Sequence, residues 1–179
     1  MTLSTIAALV QRRIRSIPDW PQPGVMFRDI TPIFSDPVVM REIFDDFCRR
    51  YRSFSVTHIA SIDARGFLIG SIVAYELGLP LLLVRKQGKL PGPIMTQSYA
   101  LEYGEAAVEI QRDTCRPGDR IVLFDDLIAT GGTLLAASQL LRQCGAELVE
   151  AAAFIDLPEL GGSAKLEQAG VPVYALCRY

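Results

Sequence analysis

The stretch that most restricts how this chain can fold is Ile121 to Thr133, IVLFDDLIATGGT, which reads as a strand, a polar loop and the start of a helix. Ile121 to Phe124 is a short apolar run suited to a buried strand, and Thr133 to Cys144 carries apolar residues at helical spacing, closed by Gly145. Between them, Thr130, Gly131, Gly132 and Thr133 would offer backbone N–H groups and two hydroxyls at a helix N-terminus, where unpaired donors and the helix dipole favour a phosphate dianion. Glycine lets the backbone come close. Asp125 and Asp126 repel phosphate but accept hydrogen bonds from vicinal hydroxyls. One ligand carries both groups, a 5-phosphorylated ribose. Neither the acidic pair nor TGGT is specific alone, since both occur in ordinary loops; their succession after a strand is. The P-loop pattern GxxxxGK(S/T) is absent because no lysine follows these glycines, and no GxGxxG dinucleotide fingerprint is present here.

At 179 residues and 50% hydrophobic, the chain suits one well-buried domain spanning 1–179. A net charge of -2 and a pI near 5.4 provide no broad basic field, which argues against nucleic acid as a partner. Cys48, Cys115, Cys144 and Cys177 are scattered, and with the lone His58 they make no metal-ligand pattern. They read as reduced core cysteines of a cytoplasmic protein. No apolar run is long enough to span a bilayer, so no membrane segment is expected. The N-terminus reads as an amphipathic helix capped by Thr2 or Ser4, because its arginines follow the apolar residues instead of preceding them as in a secretory signal.

Strands and helices alternate along the rest. The proline-rich segment Ser16 to Phe34 reads as an extended loop over the domain, turning at Pro23-Gly24. Ser35 or Asp36 caps a helix with Pro37 in its first turn, running to about Ser53 with Val38, Ile43, Phe44, Phe47 and Tyr51 inward and its arginines in solvent. Strand His58 to Ile62, helix Phe67 to Leu77 and strand Leu81 to Val84 make a βαβ unit; further strands are expected at Val149 to Ile155 and Val171 to Leu176. This is an α/β fold, a mainly parallel sheet flanked by helices. Ligands bind such sheets beyond the carboxyl ends of the strands, where Asp63 to Gly66, Arg85 to Lys89 and Asp125 to Thr133 emerge. Arg65, Arg85, Lys86 and Lys89 gather cationic charge there, including two of the three lysines in the chain, and suit a second phosphate group. Leu90 to Gly104 has two prolines, two glycines and few core candidates, and reads as a mobile flap.

VLFDDLIATGGT, together with PGVMFRDITPIF at Pro23 to Phe34, IDARGF at Ile62 to Phe67, RKQGKLPGP at Arg85 to Pro93 and SYALEYG at Ser98 to Gly104, resembles the type I phosphoribosyltransferases, and within them the branch that acts on adenine. The resemblance covers nearly the whole chain. It departs at Asp63-Ala64, where relatives often carry glutamate and serine. Oxopurine enzymes typically carry a lysine after the signature, and Leu134 to Gly145 has none.

The resemblance implies a phosphoribosyltransferase fold with an N-terminal loop over the base site, and transfer of the phosphoribosyl group from phosphoribosyl diphosphate (PRPP) to adenine, giving AMP and diphosphate in purine salvage. Asp125 and Asp126 would hold the ribose hydroxyls, Ala129 to Thr133 the 5-phosphate, and Arg65 with the basic loop the diphosphate. Phe27 would stack on adenine with Val25, Arg28 and Leu127 around it, and Glu102 would take the purine proton. A cis peptide is expected at Asp63-Ala64. Mg²⁺ would be held mainly by PRPP and water, as its preference for oxygen ligands and retained waters permits, and no protein metal cluster is expected. The family further implies a homodimer with the Arg65 and Arg85 loops near its interface. Two alternatives remain: an enzyme of the class acting on another base, and a regulator that senses the ligand while binding nucleic acid.

Overall fold

A computed structural model describes residues 3–100 and 104–179. The chain opens with helix α1 (Leu3–Arg13), which buries Ile6 and Val10 and ends on Arg12 and Arg13, cations placed where the helix dipole is negative. Ser4 lies within this helix and so does not cap it, and Thr2 lies outside the described residues.

The proline-rich segment is more ordered than a plain loop. Strands β1 (Arg15–Ile17) and β2 (Phe27–Asp29) pair antiparallel, and helix α2 (Thr31–Phe34) follows. Three-residue strands leave no alternation to read. Side chains hold the pair instead: Arg15 donates to the Asp29 carboxylate from Nε at 3.1 Å and from its terminal nitrogen at 2.7 Å, and Arg28 donates to the Ser16 hydroxyl. The turn falls at Pro23-Gly24 as expected, with Val25 N–H donating to the Gln22 carbonyl and Gly24 at φ +86°.

Helix α3 (Pro37–Tyr51) starts where Asp36 accepts from the N–H groups of Val38 and Val39. That cap sets the helical phase so that Val39 faces inward and Val38 is 67% exposed, contrary to the sequence expectation. The arginines also divide. Arg41 and Arg49 are exposed, but Arg50 turns inward and donates through Nε and a terminal nitrogen to Glu150, whose carboxylate also accepts from the Tyr51 hydroxyl. Its guanidinium lies 3.9 Å from the Tyr174 ring centroid. A carboxylate buried on a strand requires such partners.

Next come β3 (His58–Ile62), α4 (Arg65–Leu77), β4 (Leu81–Lys86), β5 (Ile94–Ala100), β6 (Glu105–Gln111), β7 (Arg120–Phe124), β8 (Leu127–Ile128), α5 (Gly132–Gln143), β9 (Glu147–Asp156), α6 (Gly162–Gln168) and β10 (Val173–Arg178). The strands form one sheet in the order β10-β9-β7-β3-β4-β6-β5, with β8 alongside β9. Pairings from β10 to β4 are parallel, and β4, β6 and β5 pair antiparallel. Helices α1, α3 and α4 cover one face and α5 and α6 the other, each face having its own apolar core. Within the expected flap, Ile94–Ala100 forms β5, which pairs with β6 while its Met95 and Tyr99 pack toward the second core.

Connections leave β3 and β7 in opposite directions, to β4 on one side and β9 on the other, so the two adjacent strand ends open a crevice between them. No helix among the described residues is long and apolar enough to cross a membrane. Because Glu150 is buried and relies on Arg50 for its charge balance, Arg50→Met should lower unfolding free energy by about 3 kcal/mol, read from urea denaturation followed by circular dichroism.

Candidate active site

The crevice is built from the backbone of β7 outward. Asp125 N–H donates to Ala152 O, and the Asp126 carbonyl accepts from Phe154 and Ile155, so the acidic pair is fixed at the strand end by sheet-like bonds. Asp126 N–H donates to the Asp125 carboxylate at 2.8 Å, and Asp126 is almost wholly buried. Arg65 Nε donates to Asp126 Oδ2. Burial, then the adjacent Asp126 charge, push the Asp125 carboxyl well above the usual range. Two negative charges cannot share this strand end cheaply.

Arg65 opens α4, and Gly66 is what allows that helix to begin against β7: a Cβ there would lie 2.8 Å from Phe124 O. The Asp63-Ala64 peptide is cis, as expected. Asp63 accepts from Arg85 Nε at 3.0 Å, and Arg85 also donates to the Lys89 carbonyl. The buried Glu109 receives the Gly88 N–H, fixing the basic turn.

The glycine loop is held from behind by a segment the sequence reading passed over. Gly131 has φ +75°, and a Cβ on it would meet Gly162 O at 2.8 Å. A Cβ on Gly162 would meet Ala129 O at 2.2 Å. Gly162 N–H donates to that same carbonyl, and Lys165 Nζ donates to Thr130 O, so backbone carbonyls point away from the cradle toward α6. The first N–H groups of α5 have no carbonyl one turn back to receive them. They face a small cavity of about 80 Å³ lined by Asp125, Leu127 and Ala129 to Leu134. Thr133 Oγ1 donates to the Tyr99 hydroxyl.

Two further cavities adjoin this one. A compartment of about 540 Å³ is lined by Val25, Phe27, Arg28 and Leu127, all expected to surround a base, and by Leu157, Leu160, Tyr179 and Glu159, none of them expected. The Arg28 guanidinium lies 4.1 Å from the Tyr179 ring centroid, and Trp20 meets Phe27 edge-on at 4.3 Å. The third cavity, about 260 Å³, is lined by Asp63, Arg65, Lys86, Asp125, Asp126 and Thr133. Leu127 and Ala129 border both the first and second, and Asp125 and Thr133 both the first and third. The site thus offers an apolar slab, an N–H cradle and a cationic bay in contact. Arg85 and Lys89 line none of these; Arg85 is committed to Asp63 and Lys89 stands in solvent. Glu102 lies outside the described residues.

The described Phosphoribosyl transferase domain matches residues 40–167. An adenine phosphoribosyltransferase of a Marinomonas species is 59% identical over 170 residues, 95% of this chain and 94% of its own. The chain belongs to the adenine phosphoribosyltransferase family. Among solved structures, adenine phosphoribosyltransferase from Rhodothermus marinus superposes with a TM-score of 0.92 at 37% identity, covering 98% of this chain and 99% of that one. The Trypanosoma brucei enzyme, solved with AMP, pyrophosphate and ribose-5-phosphate, gives 0.88 at 34%, covering 97% and 79%.

The lining residues that the sequence did not point to differ in how visible they were. The double glycine Gly161-Gly162 after a strand was a usable sign of close backbone approach, whereas Tyr179 enters the cavity only through the pairing of β10 with β9. Gly162→Ala must displace Ala129 or its own loop, and should weaken ribose 5-phosphate binding roughly tenfold by titration calorimetry, about 1.4 kcal/mol. The raised Asp125 carboxyl yields a second expectation. Between the ordinary carboxylate range and its raised folded value, the folded chain binds more protons than the unfolded one, so wild-type stability falls as pH rises through that window. Asp125→Asn removes this penalty, and its stability advantage in urea should be larger at pH 8 than at pH 4.5; an advantage independent of pH would contradict the assignment.

Proposed function

We infer that this chain catalyses the reaction of adenine with PRPP to give AMP and diphosphate, in purine salvage, as a single catalytic domain. The observation that carries this reading is the contact of three cavities whose linings suit a purine, a 5-phosphate and a diphosphate, with Asp125 bordering the two anion sites. The names of its relatives agree.

In this reading the base lies against Phe27 with Val25, Arg28 and Leu127 around it. The cradle Ala129, Thr130, Gly131, Gly132, Thr133 binds the 5-phosphate, and Asp125 and Asp126 grip the ribose hydroxyls. Arg65 and Lys86 meet the diphosphate, with Arg85 and Lys89 shaping their loop. Attack by adenine N9 forms the C1–N9 bond as the C1–oxygen bond to diphosphate breaks, so positive charge grows on the sugar while negative charge grows on the leaving group. Arg65 is paired with Asp126 before ligand arrives. An incoming diphosphate competes for that guanidinium, which releases Asp126 to the hydroxyls. Glu102 takes the N9 proton.

Mg²⁺ fits this donor set: Asp125 and Asp126 are close, oxygen-bearing and bordering the diphosphate bay, so they would hold the ion through water while PRPP supplies direct ligands. When bound, the ion neutralises charge on the departing diphosphate. The β5–β6 hairpin closes over the sugar as a flap and limits hydrolysis of PRPP. Four unpaired cysteines support a cytoplasmic setting, and a homodimer follows from the family resemblance.

AMP formation by purified protein tests the reading. Asp125→Asn combined with Asp126→Asn should lose about a hundredfold or more in kcat while retaining the native circular dichroism spectrum. Equal rates with hypoxanthine and adenine would defeat the base assignment, and a salt-dependent gel shift would favour a nucleic-acid-binding regulator instead.

A further inference from the structure

Thr133 stands at a corner shared by several cavities. It lines the phosphate cradle, the diphosphate bay and a fourth cavity of about 370 Å³ on the hairpin side, which Lys86, Gln87 and Tyr99 also line. Tyr99 comes to this corner from β5. Its ring lies against the backbone of Gly132, where a Cβ would stand 3.2 Å from the ring carbon Cδ2, and its hydroxyl accepts the Thr133 hydrogen at 3.0 Å. Among the described residues, the phenol's own hydrogen has no acceptor. An uncommitted donor thus stands one hydroxyl away from an anion cradle.

We propose that Tyr99 is a positioning residue for the sugar 5-phosphate and acts through Thr133. The proposal rests on the reading of Ala129 to Thr133 as the 5-phosphate cradle. A threonine hydroxyl has one hydrogen and so cannot donate to Tyr99 and to a phosphate oxygen at once. When the dianion occupies the cradle, the Thr133 hydrogen turns to it, and Thr133 Oγ1 then accepts from the phenol. The 3.0 Å separation serves a hydrogen bond of either direction, so the reversal turns two hydroxyl hydrogens and moves no heavy atom. The result is a chain, Tyr99 O–H to Thr133 Oγ1 and Thr133 O–H to phosphate, in which each bond polarises the next. The seat of the ring on Gly132 fixes the phenol beside the start of α5, where the phosphate binds, so little freedom remains to be lost on ordering it. Without the phenol, Thr133 still reaches the phosphate, but as a weaker donor whose hydroxyl nothing orients.

The test is a double-mutant cycle on the full chain, read by titration calorimetry with ribose 5-phosphate. Tyr99→Phe keeps the ring on Gly132 and removes only the hydroxyl; it should weaken binding about fivefold, and Thr133→Val should weaken it about tenfold. Because Tyr99 acts only through Thr133, the double variant should bind no more weakly than Thr133→Val alone. Affinity for adenine, whose cavity Tyr99 does not line, should stay at the wild-type value in Tyr99→Phe. Unchanged ribose 5-phosphate affinity in Tyr99→Phe, additive losses in the double variant, or an equal loss of adenine affinity would each overturn the proposal, the last by showing that the hydroxyl merely braces the hairpin. Wild type that binds no ribose 5-phosphate would overturn the cradle reading itself, and this proposal with it.

Discussion

The site depends on two carboxylates held side by side at the end of a buried strand. Nothing in β7 itself balances them, and the raised Asp125 carboxyl reflects that imbalance. Relief comes from another strand end: Arg65 reaches Asp126 because β3 lies beside β7 in parallel register and because Gly66 lets α4 start against the Phe124 carbonyl. The acidic pair, the arginine and the glycine are thus one arrangement. Removing any member changes what the others can do. A ligand with hydroxyls for the acids and a diphosphate for the arginine meets each charge more fully than the empty site does.

The same dependence on close backbone approach recurs at the phosphate cradle. Gly131 and Gly162 sit against one another so tightly that neither tolerates a Cβ, and the contact turns the Ala129 and Thr130 carbonyls toward α6. A carbonyl facing the cavity would repel an anion; turned away, it leaves the helix N–H groups as the dominant field. The shape of the cradle therefore rests on a segment some thirty residues downstream of the loop it supports. Tyr99 approaches Gly132 and donor Thr133 from the hairpin side, so three chain segments shape one small cavity.

Features governed by local chemistry were legible in the sequence. Strands β3 and β7, the Asp36 cap, the Gly78 stop of α4 and the turn at Gly24 all follow from a few adjacent residues, and so did the positions of Asp125, Asp126 and the glycine loop. What escaped notice was fixed by partners far along the chain. Arg50 looks like a surface cation until Glu150, a hundred residues away, takes its guanidinium. The β1–β2 pair has too few residues to show alternation, and β5 alternates between half-buried and exposed without a strong apolar signal. Tyr179 reaches the cavity lined by Phe27 because β10 pairs with β9, a property no local window contains.

The pattern of β5 shows what holds the segment read as a flap against α5. Its inward residues Met95, Gln97 and Tyr99 fall at every second position and meet Cys144, Gln143 and Thr133 of α5 in turn, through a sulfur contact and two hydrogen bonds. Each such contact is worth about 1 kcal/mol net, less where water can replace it. Against these, the β5–β6 ladder keeps the hairpin intact as a unit. The hairpin is also tied to the rest of the sheet, since β6 pairs with β4 and buries Val108 and Ile110, so displacing it whole would cost that pairing and core as well as the helix contacts. Tyr99 is the contact nearest the cradle, and its hydroxyl accepts from Thr133, so the hairpin and the glycine loop share one hydrogen bond as well as one cavity wall.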